Sequence, residues 1–435
     1  MQSLSGFRAS SLGYFFKPSI NWSDVSSTYF GVRYSYCGFA FDGRGASMFS
    51  EEKITFWILG FLSSKITRGF LNILNPTLTF NIDNIASLPL VVETQNKSRV
   101  DFIVKQNIAM SKVDWDSFET SWEFIIHPLY KFKITNAKGG IEHAFDMWND
   151  FTEKQFHKLK ANEEELNRIF LDIYGLQDEM TPEVEEKDVT IRQADRERDI
   201  KSFISYAVGC MFGRYSIDEE GLIYAGGGFD LLKYKTFKPD SDGIIPILSQ
   251  SYFEDDIINR FVEFVKVTFG EETLNENLNY ISETIGKKSN ESSRDTIRRY
   301  FIDGFYSDHC KIYKNRPIYW LVDSGKKKGF RALIYIHRYN TETLATLRLN
   351  YLLELQTKYT NEEKQINKYL ENENLSNVDV KNYNKKLLIL SQIQTELLGF
   401  DKVLDEMANR KIDLDLDDGV VENYKKLQGI LAKIK

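Results

Sequence analysis

The feature that most constrains this chain is an apolar helix stripe that runs into an Asn-Pro break. Ile54, Trp57, Ile58, Phe61, Leu62, Ile66 and Phe70 recur at spacings of three and four, which places them on one helix face. Asn75-Pro76 ends that helix, because proline lacks an N–H and pushes the residue before it out of the helical region. A strand-like run, Leu78-Thr79-Phe80-Asn81-Ile82, follows, and then Ile85-Ala86-Ser87-Leu88-Pro89-Leu90. Ahead of the stripe, Tyr29-Phe30-Gly31-Val32-Arg33-Tyr34 and Gly38-Phe39-Ala40-Phe41 are short alternating runs that read as strands. Together these predict an α+β module over residues 1–90.

At 435 residues the chain is long enough for two to four domains, each with its own core. Its hydrophobic content of 42% and charged content of 27% are ordinary for a globular protein. It has no apolar run of about 18 residues, so no membrane span is expected. Met1-Gln2-Ser3-Leu4-Ser5-Gly6 lacks the charged and apolar regions of a signal peptide. Cys37, Cys210 and Cys310 lie far apart without metal-ligand spacing and read as reduced, mostly buried thiols of a cytoplasmic protein. The net charge of −7 argues mildly against nucleic acid as a partner. Phosphate contacts are local, however, and before Pro89 seven basic residues (Arg8, Lys17, Arg33, Arg44, Lys53, Lys65, Arg68) stand against five acidic ones. The acidic excess lies in the later helical segments.

Further along, residues 100–110 predict a helix, and Phe145, Trp148, Phe156, Leu159, Leu166, Ile169, Phe170 and Ile173 predict a long amphipathic one over 144–174 with Gly175 as its C-cap. Ile200, Phe203, Ile204, Ala207, Val208, Met211 and Phe212 form a wide stripe that must be packed. Helices are predicted at 254–268, 272–285 and 294–305. Two strand-like runs, 318–322 and 332–336, flank Ser324-Gly325-Lys326-Lys327-Lys328-Gly329 and predict a hairpin with a basic tip. Residues 341–409 read as two antiparallel helices broken near Asn372-Glu373-Asn374, and 421–434 as a terminal helix.

Several blocks in this order resemble a known family. They include Ser19-Ile20-Asn21-Trp22-Ser23-Asp24, Leu74-Asn75-Pro76-Thr77-Leu78, Asp116-Ser117-Phe118-Glu119-Thr120-Ser121-Trp122 and Asn162-Glu163-Glu164-Glu165-Leu166-Asn167-Arg168. Tyr206-Ala207-Val208-Gly209-Cys210-Met211-Phe212-Gly213-Arg214-Tyr215, Arg316-Pro317-Ile318-Tyr319-Trp320-Leu321 and Asp415-Leu416-Asp417-Asp418-Gly419-Val420 extend the set. Across essentially the whole chain the set resembles the C-terminal half of PglX, the adenine-specific DNA methyltransferase of bacteriophage-exclusion (BREX) systems. The helix, Asn-Pro break, strand and Ile-x-x-Leu-Pro exit look like the end of a target recognition domain of such enzymes.

The resemblance implies a target recognition domain over 1–110 and a connection with helical spacer over 111–190. It implies a mostly helical C-terminal domain with a β-hairpin over 191–340, and an antiparallel helical hairpin with a terminal helix over 341–435. The class is α+β. The implied role is the sequence-specific DNA recognition part of a site-specific adenine methyltransferase used in phage defence. In that family a methyltransferase domain lies upstream, with an S-adenosylmethionine loop and an Asn-Pro-Pro-Tyr/Phe motif for the flipped adenine. Here Asn75-Pro76 is followed by Thr77, so catalysis is not carried over: no catalytic residue, cofactor or metal is assigned, and the chain is expected to be inactive alone.

Phe41-Asp42-Gly43-Arg44-Gly45 fits a loose methyl-donor pattern but reads better as a strand edge and turn. Lys17, Asn21, Arg33, Tyr34, Arg44, Lys65 and Arg68 are the candidate DNA contacts, since Arg and Asn can pair with guanine and adenine edges and Lys with phosphate. Each alone is more simply a solvated surface group. Gly226-Gly227-Gly228 lacks the Lys-Ser/Thr ending of a nucleotide loop, and the lysine run 326–328 reads as a solvated turn. The acidic run 413–418 has its glycine one position late for a calcium loop. His127, His143, His157, His309 and His337 show no metal spacing, and His309-Cys310 reads as a packed pair. The expected partner is double-stranded DNA. Two other readings remain: a stand-alone specificity subunit that recruits a separate methyltransferase chain, and a scaffold that binds other defence-system subunits through its acidic helical hairpin.

Overall fold

A computed structural model describes residues 9–26, 29–42, 44–135, 139–371 and 375–434. In chain order the elements begin with β1 (Ser19–Ser23), β2 (Val32–Ser35), β3 (Gly45–Met48), α1 (Glu52–Ser63), α2 (Lys65–Leu74), α3 (Ile82–Ala86) and α4 (Lys97–Asp116). They continue with α5 (Pro128–Thr135), α6 (Ile141–Tyr174), α7 (Arg196–Met211), β4 (Ile244–Pro246), α8 (Ile257–Phe269), α9 (Leu274–Thr284), α10 (Ser293–Asp303) and α11 (Phe305–Ile312). Then come β5 (Tyr319–Asp323), β6 (Arg331–Tyr335), α12 (Thr343–Thr346), a π-helical turn (Leu347–Leu352), α13 (Leu353–Leu370), α14 (Asn377–Asn409) and α15 (Gly419–Lys426). The class is α+β, mostly helical, with two small antiparallel sheets. Met1–Trp115 and Asp150–Ala194 form one compact unit, Asp116–Asn149 and Asp195–Lys435 the other.

In the first unit β1 is the centre of a three-stranded sheet of order β2-β1-β3. Ile20 and Trp22 point to one side, with Tyr34, Val32, Met48 and Ala46 opposite them, and this side joins the core. Helix α1 supplies the other layer by burying Trp57, Ile58, Leu59, Phe61 and Leu62. Against it lies Phe170 of α6, 5.3 Å from the Trp57 ring centre and 5.8 Å from that of Phe61. Gly60 is where α4 comes closest, and a Cβ there would meet Val100 at 3.0 Å and Val104 at 3.1 Å. Each fully buried aromatic of this set contributes on the order of 2 kcal/mol.

The apolar stripe is divided. Ser64 adopts an extended conformation between α1 and α2, and the hydroxyls of Ser64 and Thr67 both donate to the Phe61 carbonyl. Hydroxyls that can satisfy a helix-end carbonyl make such a break inexpensive. Asn75 then ends α2 as expected. The run 78–82 is not a strand of the sheet. Val25 and Thr79 form an isolated bridge, the Ser26 amide donates to Leu78 and the Phe80 amide to Asp24, and Ile82 already opens α3. Residues 38–41 also leave the expected strand pattern, because Gly38 turns the chain with φ +103°.

In the second unit the sheet has the order β4-β6-β5, with Ile244 opposite Ile334 and Trp320 opposite Ile334 from the other side. The hairpin expected around 318–336 is therefore present, and β4 completes it. Helix α7 is buried from Phe203 to Met211, and Asp195 caps it by accepting the Arg198 amide. The lysine-rich tip is exposed, as the solvated-turn reading expects, and it is also anchored. The Lys327 amide donates to Glu396 of α14 (2.8 Å), and Lys328 pairs with Asp303. His309 and Cys310 are buried, as the packed-pair reading expects, and so is Cys210, whereas Cys37 is exposed. His309 Nε2 accepts the amides of Ile318 and Tyr319, both at 3.1 Å, which fixes the start of β5.

The terminal helix is shorter than expected. It stops at Lys426, and Leu431 bridges to Val322 on the open side of β5. An extended segment satisfies the amides of that strand, which a helix could not. Arg8, Gly43 and the break at 372–374 lie outside the described residues.

Candidate nucleic-acid interface

Side chains alternate across a strand, so the face of the first sheet opposite its core side carries Ser19, Asn21 and Ser23 from β1. Residues paired across strands share a face, which adds Arg33 and Ser35 from β2, and Ser47 from β3. The result is a polar face with hydroxyls, one carboxamide and one guanidinium. Asn21 stands at its centre, opposite Arg33 on one side and Ser47 on the other. Its Nδ2 donates to Ser35 Oγ at 3.2 Å, and its Oδ1 accepts from Ser19 Oγ at 2.9 Å. The amide is held rigidly by its neighbours. Arg33 is exposed and, among the described residues, has no ion pair.

The structure brings some of the seven predicted contacts together and separates the others. Asn21 and Arg33 share the polar face. Lys17 lies two residues before β1, exposed, with its ammonium 5.4 Å from the Tyr14 ring centre. Arg44 precedes β3 at the opposite end of that strand pair, 83% exposed, with Nη1 2.9 Å from Asp24 Oδ2. An exposed pair of this kind holds its partners weakly, so Arg44 is free to exchange Asp24 for a phosphate. Tyr34 points to the other side of the sheet, with its ring 5.6 Å from Phe56 and 5.0 Å from Tyr36. Burial raises its hydroxyl pKa.

Lys65 and Arg68 belong to a separate cluster on α2. Lys65 Nζ donates to the Thr181 carbonyl at 3.3 Å. The Arg68 guanidinium stacks 4.1 Å from the Tyr29 ring centre and reaches Asp188 Oδ2 at 3.4 Å. Tyr29 in turn donates to the Asp188 carbonyl at 3.0 Å. Glu163 lies in the same cluster, and burial, reinforced by Asp188, pushes its carboxyl up to about 7. These groups hold residues 181–188 against α2.

The Gly-rich turn at 41–45 does not fit a methyl-donor carboxylate. Asp42 Oδ1 accepts the amides of Arg44 (2.9 Å) and Gly45 (2.8 Å), which are the donors such a ligand would need. Those bonds hold the Asp42 carboxyl below its usual value, the Gly45 amide most of all. Sequence reading missed Ser19, Ser35 and Ser47, although the period-two pattern Ser19-x-Asn21-x-Ser23 could have placed the first of them with Asn21.

No family model matches the chain. It is 45% identical over 428 residues to the adenine-specific methyltransferase PglX of Lacticaseibacillus casei (strain Zhang), a match that covers 97% of this chain and 35% of that protein. It is 36% identical over 451 residues to the adenine-specific methyltransferase BrxX of Escherichia coli O9:H4 (strain HS), covering 97% of this chain and 36% of that protein. The chain thus spans about a third of the length of these curated relatives. In sequence it corresponds, along nearly all of its length, to a C-terminal-type portion of the larger adenine-specific methyltransferases PglX and BrxX.

Proposed function

We propose that the first unit reads double-stranded DNA for a site-specific adenine methyltransferase of phage defence. The observation that carries this reading is the polar face centred on Asn21 and Arg33. A carboxamide fixed by Ser19 and Ser35 can pair with an adenine edge, and an unpaired guanidinium can pair with guanine. Lys17 and Arg44 flank this face and would meet phosphates, which position the protein without reading sequence. Lys65 and Arg68 would contribute indirectly, by holding 181–188 in place. The relatives are adenine-specific methyltransferases, which supports the substrate, and S-adenosylmethionine would be bound by a methyltransferase portion rather than by the residues described above.

The test is anisotropy of a labelled random duplex pool with the purified chain, titrated with salt and followed by selection of bound sequences. Salt-dependent binding with an enriched motif supports the reading. A folded chain that binds no duplex at low salt sinks it and favours the scaffold reading.

A further inference from the structure

The strands β1 and β2 end at Ser19 and Ser35, but the segments flanking them stay linked. Two backbone bonds join them, the Phe16 amide to the Phe39 carbonyl at 2.9 Å and the Gly38 amide to the Phe16 carbonyl at 3.0 Å. Phe16 is 60% exposed and Phe39 54% exposed at this end, with Tyr36 also exposed between them and β2. The Phe16 ring stands edge-on to that of Phe15, with centres 6.2 Å apart. Phe15 in turn meets Phe41 edge-on at 5.0 Å, Phe41 meets Phe49 at 5.4 Å, and Phe49 meets Tyr14 at 4.9 Å.

Phe16 also holds a left-handed backbone, φ +67°. A bulky residue there is strained by about 1–3 kcal/mol, and glycine would relieve that strain. Folding alone gives no reason to keep a phenyl ring that is strained and exposed together. The surroundings are basic and polar: Lys17 follows directly, and Arg33 stands two residues inside the ribbon on the polar face. The paired segments beyond β1 and β2 are only two chains across, which a DNA groove can admit, and aromatic rings presented there would meet base faces.

We infer that Phe16 and Phe39 form a rigid stacking tip that engages a base step in double-stranded DNA, unstacking it, while Asn21 and Arg33 read edges beside it. This rests on the DNA-reading function proposed above. Stacking acts on the base face and is insensitive to salt, whereas Lys17 and Arg44 would act through charge. The tip therefore prefers DNA in which one step is already unstacked, because the cost of opening it is removed.

The experiment uses the full chain and its F16A, F16G, F16W and F39A variants. The probes are a labelled random-sequence duplex and the same duplex with one mismatched pair, read by anisotropy at several salt concentrations, with thermal unfolding of each variant. The wild type should favour the mismatched duplex. F16A, F16G and F39A should lose about tenfold in affinity, lose that preference and keep the salt slope, while F16W retains both. F16G should unfold at a temperature no lower than the wild type, which separates loss of stacking from loss of fold. Wild-type binding with unchanged affinity and preference in F16G and F39A overturns the tip alone. A folded wild type that binds neither duplex overturns the DNA-reading function and the tip with it.

Discussion

Asn21 and Arg33 face each other across β1 and β2, on the side of the sheet that the core does not use. One is locked by hydroxyls on either side and the other has no acidic partner among the described residues. The pairing puts a rigid amide next to a free cation. Arg33→Ala is expected to weaken duplex binding by about 1–3 kcal/mol and to relax the selected motif at the base its guanidinium reads, with the slope of log affinity against log salt largely kept. Asn21→Ala should leave that slope intact and relax the selected motif at one position. Selection of bound sequences with each variant checks both.

Arg68→Ala should act on stability rather than on binding. It removes the ring stacking on Tyr29 and the bond to Asp188, so residues 181–188 should loosen. We expect a loss of about 1 kcal/mol by denaturant unfolding, with faster amide exchange in that segment and an unchanged salt slope for DNA.

Glu163 makes the first unit sensitive to alkali. Its folded pKa is raised to about 7, so its stabilising contribution is fully present below the unfolded value near 4.5 and is lost as pH rises through 7. Glu163→Gln should abolish this dependence. At pH 8 the variant should be more stable than the wild type by about 1–3 kcal/mol, and at pH 4 it should match it. Unfolding curves at the two pH values decide the sign.

His309 gives the second unit the opposite dependence. Burial, helped by Arg214, lowers its pKa to about 3, so the ring stays neutral and accepts the amides of Ile318 and Tyr319. Its contribution is present above pH 6.5 and is lost as pH falls towards 3. His309→Ala leaves two buried amides unpaired beside a cavity and should cost about 2–4 kcal/mol at pH 7. Thermal unfolding of the variant at pH 7 and pH 5 reads this directly.

What was legible in the sequence follows from how local each cause is. Helices α4, α6, α7, α8, α9 and α10 have strong periodicity with local stop signals, such as Gly175 in its left-handed conformation after α6, and all are found. The hairpin β5/β6 was readable for the same reason, since two apolar runs flank a Gly-bounded turn. The partition at Ser64 was not, because it depends on hydroxyls reaching back to Phe61. Nor was the pairing of 78–80 with 24–26, which joins residues more than fifty positions apart. For the candidate interface, residue type pointed to Asn21 and Arg33, but only the register put them opposite each other. Register also sent Tyr34 to the core side, and tertiary packing engaged Lys65 and Arg68 with 181–188.

The segment after α15 has a consequence for solubility. The Asp323 amide donates to the Ile430 carbonyl at 2.9 Å, and the Ala432 amide donates to the Leu321 carbonyl at 2.8 Å. β5 would otherwise be the unguarded rim of its sheet, with Tyr319, Trp320, Leu321 and Val322 in sequence along it. An apolar rim with vacant amides invites a strand from another molecule. Residues 430–432 occupy that seat from within the same chain, so a handful of residues stands between this unit and self-association.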